Sequence, residues 1–131
     1  MSTLQKVRAL IRREFVASRM NNVKWHLLAQ LFTDLRLEYF IKFVNDQEIY
    51  PMTTFWSVNP HWFDSSVPGA FLTLAIEWLD INPIYRGYPS SGHATEVVDC
   101  RNEIISRLET AHISYELIGS YIRIVAHVRK S

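Results

Sequence analysis

The chain has 131 residues, 48% of them hydrophobic, with 14 Lys and Arg against 13 Asp and Glu, a formal net charge of +1. That balance argues against a general nucleic-acid binder, which needs a basic excess for phosphate contacts, and the composition is too apolar for a disordered chain. A lone cysteine, Cys100, excludes an internal disulfide framework and any cysteine-based zinc cluster.

No stretch approaches the roughly 18 apolar residues of a membrane span. The best run, 67–76, is broken by Pro68, Gly69 and Thr73. With no secretory apolar segment at the N-terminus, these features imply a cytoplasmic protein with no membrane partner. Residues 1–20 hold Lys6, Arg8, Arg12, Arg13 and Arg19 against Glu14 alone, the composition of a mitochondrial presequence. The solvated face of an ordinary amphipathic helix accounts for it better, and that is the reading taken.

Leu4, Val7, Leu10, Ile11 and Phe15 recur at helical spacing over 3–19. Asn21-Asn22 supplies a break and an N-cap, and Val23, Leu27, Leu28, Leu31, Phe32 and Leu35 form the stripe of a second helix. The period then changes to two. Leu35, Leu37, Tyr39, Ile41 and Phe43 alternate with Arg36, Glu38, Phe40, Lys42 and Val44, which predicts a half-buried strand. After the turn 45–48, residues 49–58 return as its hairpin partner, with Pro51 marking a bulge or an edge. Such an edge leaves open a homodimer by strand pairing.

Residues 59–69 are dense in turn formers, and the apolar run 71–81 between Pro-Gly and Asn-Pro predicts a central strand. A loop over 83–92 precedes a helix over 95–111, with Glu96 and Asp99 near its positive end. Gly119-Ser120 between 114–118 and 121–129 signals a terminal hairpin. The expected order is ααβββαββ: two N-terminal helices, a mostly antiparallel sheet of about five strands, and one further helix before the hairpin, in a single α+β domain over 1–131.

Catalytic templates fail. There is no Gly-rich phosphate loop, nucleophile elbow or His-Glu-x-x-His. Ser90-Ser91-Gly92-His93 has the composition of a nucleophile or anion site but matches no mechanism by spacing, and is read as a loop. The histidines at 26, 61, 93, 112 and 127 share no ligand spacing; His93 with Cys100 through folded proximity stays open. Glu77 and Asp80, three apart on a strand, are expected on opposite faces. No catalytic residue, metal site or cofactor is assigned.

One pattern survives. Segment 43–85 contains no Lys or Arg, five acids (Asp46, Glu48, Asp64, Glu77, Asp80) and nine of the 17 aromatic residues. The formal charge runs +5 over 1–42, −5 over 43–85 and +1 over 86–131. Carboxylates beside aromatic anchors suit a protein-binding face for a basic partner, the charges steering encounter and the rings supplying hot spots. The candidate residues are Asp46, Glu48, Trp56, His61, Trp62, Phe63, Asp64 and Tyr85.

The run Asn21-Asn22-Val23-Lys24-Trp25, then Ile76-Glu77-Trp78-Leu79-Asp80-Ile81, then Ile113-Ser114-Tyr115-Glu116 and Ile122-Arg123-Ile124 resembles a family of small bacterial proteins of unassigned function. The likeness spans roughly residues 20–126 and carries fold signatures without catalytic residues. More loosely, by size, class and acidic-aromatic content, the chain resembles immunity proteins of bacterial toxin systems, including contact-dependent growth inhibition. That resemblance implies binding to a cognate toxin domain, a basic nuclease, and occlusion of its active or substrate-binding surface. The alternative is a nucleic-acid-binding or regulatory module using the basic N-terminal helices.

Overall fold

The computed structural model describes residues 3–35, 37–52, 62–63, 71–87 and 96–131. Helix α1, Thr3–Glu14, turns Val7 into the core with Leu10 and Ile11 packed against it. It stops earlier than its periodicity suggests, because Phe15–Ser18 leaves the helix as strand β1. The partner of β1 comes from the far end of the chain, and pairing plus burial of Phe15 outweighs local helical propensity.

Helix α2, Asn22–Leu35, starts as its sequence requires: the Asn21 side-chain oxygen accepts the Lys24 backbone N–H at 2.9 Å. Trp25, Leu28, Leu31 and Phe32 form its buried stripe. The strands that follow are β2, Tyr39–Phe43, shorter than the alternation from Leu35 suggested, and β3, Ile49–Met52; the rest of 49–58 lies outside the described residues. Trp62–Phe63 (β4) pairs with Phe71–Leu72 (β5). The expected strand over 71–81 is interrupted by a 3-10 turn, Thr73–Ala75, before β6, Ile76–Ile81.

Two further differences follow. Ile84–Gly87 is strand β7, not loop, and Glu96–Asp99 is its partner β8 rather than the first turn of a helix. Helix α3 is therefore Arg101–Thr110. It ends in a Schellman motif: Ile113 N–H reaches the Leu108 carbonyl at 2.9 Å and His112 N–H reaches that of Glu109 at 3.1 Å. His112 takes the required positive φ of 57°, and Leu108 and Ile113 are both buried, giving the apolar contact that accompanies such caps.

The C-terminal hairpin forms as expected, β9 (Glu116–Ile118) and β10 (Tyr121–Val125) joined by Gly119-Ser120 with Gly119 at φ 58°. The alternation does not run on unbroken. The chain bends at Ala126, and β11, His127–Arg129, departs to pair with β1.

Five strands form one antiparallel sheet in the order β3-β2-β6-β10-β9, with β6 at its centre. Tyr39, Ile41, Leu79, Ile81, Ile122 and Ile124 line one face in register, and α2 and α3 add Leu28, Phe32, Ile104 and Leu108 to the same buried cluster. The Phe32 and Tyr39 rings meet at 4.6 Å. The class is α+β.

Candidate functional site

Because side chains alternate along a strand, the sheet's second face carries Phe40 and Lys42 of β2, Trp78 and Asp80 of β6, and Tyr121 and Arg123 of β10. Phe40, Asp80 and Arg123 lie in one row across three strands, and Lys42 and Trp78 in the next. Arg123 donates to both Asp80 oxygens, at 2.6 and 2.9 Å, and its guanidinium lies 4.0 Å from the Trp78 ring centroid. Phe40 and Tyr121 meet edge to face at 5.6 Å.

Glu77 joins this face through a bulge. Lys42 opposes Trp78 but Phe43 opposes Ile76, so Glu77 is the extra residue of β6 and its side chain is re-aimed. The expectation that Glu77 and Asp80 point to opposite faces is corrected by that single insertion. Lys42 Nζ donates to Glu77 at 2.7 Å, and Arg129 donates to both its oxygens at 2.9 and 3.1 Å. Burial pushes the Glu77 carboxyl up, and the Arg129 and Lys42 bonds more than reverse this, so it lies below the usual carboxylate range. Two of the five acids of segment 43–85 are thus neutralised by cations from outside it.

Asp46 and Glu48 sit on the turn between β2 and β3. The Asp46 carboxylate accepts the Tyr50 hydroxyl at 2.5 Å and the Glu48 backbone N–H at 3.0 Å. These bonds hold its carboxyl low and push the Tyr50 hydroxyl up to about 12. Glu48 is exposed, and next to it Ile49 is 52% exposed on an edge strand. Of the other candidates, Trp56, His61 and Asp64 lie outside the described residues. Trp62 and Phe63 form β4, and Tyr85 stands opposite Val98 in the β7–β8 pair. The Ser90–His93 loop also lies outside the described residues.

The basic helix keeps its charge at the surface: Lys6, Arg8, Arg12, Arg13 and Arg19 are all exposed, and Gln5, Arg8, Ala9 and Arg12 line an open depression. A second groove, about 390 Å³, opens between α2 and α3 and is lined mainly by Leu27, Leu31, Leu108, Ala111 and Ile113. Sequence reasoning missed the Arg123–Asp80–Trp78 cluster. The available signal was one charged and one aromatic residue at alternate positions of each strand (Phe40 and Lys42, Trp78 and Asp80, Tyr121 and Arg123), opposite a face that is wholly apolar.

Among the described residues no group of three or more His, Cys, Asp or Glu is placed to hold a metal ion, and no helix is long and apolar enough to cross a membrane. No curated protein and no solved structure matches the chain. The model of a family of unknown function (DUF6678) does match, over residues 7–131, and the chain belongs to that family.

Proposed function

We propose that the protein works by stoichiometric binding to another protein, as an immunity protein that occludes a cognate bacterial toxin domain of basic, nuclease type. The observation that carries this reading is the β2–β3 turn, where a firmly ionised Asp46, an exposed Glu48 and an exposed Ile49 stand together at a sheet edge. Charge at such a rim steers a basic partner, and an adjacent apolar side chain gives it something to bury. The test is co-expression with the C-terminal region of the protein encoded immediately upstream, scoring growth and co-purification. Rescue of growth with a salt-sensitive one-to-one complex supports the reading; a harmless neighbour that does not co-elute overturns it.

A second reading has its own observation. The exposed cations of α1, with Arg8 and Arg12 one turn apart beside Gln5, suit phosphate groups. It predicts binding to single-stranded RNA or DNA that weakens steeply with salt. Absence of binding at low salt rules it out.

A further inference from the structure

Ser18 of β1 and His127 of β11 are directly opposed across the terminal strand pair, and the Ser18 Oγ lies 2.7 Å from His127 Nδ1. On the other side of the ring, Nε2 is 2.8 Å from the Leu74 carbonyl oxygen. A carbonyl can only accept, so Nε2 carries the proton of the neutral imidazole and Nδ1 presents a lone pair. The Ser18 hydroxyl must then donate its proton to Nδ1. The ring is buried and braced by the edge of Phe15 at 5.8 Å, whereas Ser18 is exposed.

We propose that Ser18 is a nucleophilic serine with His127 as its general base, able to take an acyl group from an activated carboxylic ester. A hydroxyl already donating to a neutral imidazole, with that imidazole oriented by a third group, is the arrangement that activates serine. The inference is independent of the partner-binding reading.

The step balances without a cofactor. As Oγ bonds to the acyl carbon, its proton passes to Nδ1. The bond to the leaving oxygen then breaks, and that oxygen takes the proton back from Nδ1, leaving an ester on Ser18. Water, deprotonated by the same nitrogen, later releases the acid and restores the hydroxyl. While the ring is cationic, its Nε2–H stays on the Leu74 carbonyl, and the Glu77 carboxylate is the acid that favours the charged form. Lys42 and Arg129 are both bound to Glu77, and the Arg129 guanidinium lies 4.6 Å from the centre of the Phe15 ring.

The experiment treats the intact protein with p-nitrophenyl acetate and locates the acetyl group by peptide mass analysis. Ser120 and Ser131, both exposed, serve as internal standards. The expected result is acetylation of Ser18 at least about 100-fold faster than at either standard. Its rate should rise with pH and level off below the ordinary histidine value of 6.5, since burial disfavours the charged ring. His127→Gln should remove that advantage while circular dichroism stays unchanged. Ser18 reacting no faster than Ser120 and Ser131 in the unaltered protein overturns the proposal without any variant. So does a rate at Ser18 that is the same in a folded His127→Gln protein, which would leave the pair as a cross-strand hydrogen bond.

Discussion

Arg123 and Asp80 are cross-strand partners that close a two-bond fork between β10 and β6, and the guanidinium of that fork is stacked on Trp78. Planar, doubly bonded pairs of this kind are strong only while both partners are present. Asp80 is buried, so removing it strands a cation against an aromatic floor.

Asp80→Leu should therefore destabilise the fold by about 3 kcal/mol. Replacing both partners at once, Asp80→Leu with Arg123→Met, should recover most of that loss. Urea denaturation of the two single variants and the double variant completes the cycle. Additive losses would show that the pair contributes nothing as a pair.

Glu77 makes stability depend on acid. Its folded-state carboxyl is held below the ordinary value of 4.5, so its contribution is complete above that value and is lost as pH falls through the lower folded value. Between pH 7 and pH 3 the urea midpoint of the unaltered protein should fall more than that of Glu77→Gln. Parallel curves for the two proteins would show that acid sensitivity arises elsewhere.

His112 occupies the left-handed position of the cap on α3, at φ 57°. A glycine adopts that conformation without the clash of a Cβ. His112→Gly should stabilise the protein by about 1 kcal/mol, raising the melting temperature by about 4 °C. His112→Val, which adds branching where the backbone is least tolerant, should shift it the other way.

At the β2–β3 turn, Asp46→Lys with Glu48→Lys should slow association with a basic partner by about tenfold at low salt. The difference should shrink as salt is added. Stopped-flow association rates at two ionic strengths measure both effects, and unchanged rates remove the turn from the interface.

Elements with local causes were legible. Asn21 caps α2 because its side chain reaches a free N–H three residues on, and Gly119-Ser120 makes the terminal hairpin because Gly accepts a positive φ. What escaped was set at a distance. Phe15 continues the helical stripe of α1, so nothing nearby distinguishes it from a helical residue; His127 and its neighbours, 109 positions beyond Ser18, convert it to a strand. The start of α3 moved for the same reason, since 96–99 pairs with 84–87. The site was less legible still. A spacing of three places Glu77 and Asp80 on opposite faces of a regular strand, and the bulge that reunites them leaves no mark in the sequence. The acidity of 43–85 was real as a count, but Lys42, Arg123 and Arg129 cancel part of it in space.

The seam between β1 and β11 also sets the order in which the molecule assembles. During synthesis the hairpin of β2 and β3 has both strands early, but β1 has no mate until residues 127–129 exist. Closing so wide a ring of chain carries an entropy cost that short hairpins escape, so the seam is expected to pair after the β2–β3 hairpin. Until it closes, the Glu77 carboxylate lacks Arg129 and the Leu74 carbonyl lacks His127. Until residues 127–129 arrive, the cationic helix α1 and strand β1 lack the backbone pairing that the seam gives them.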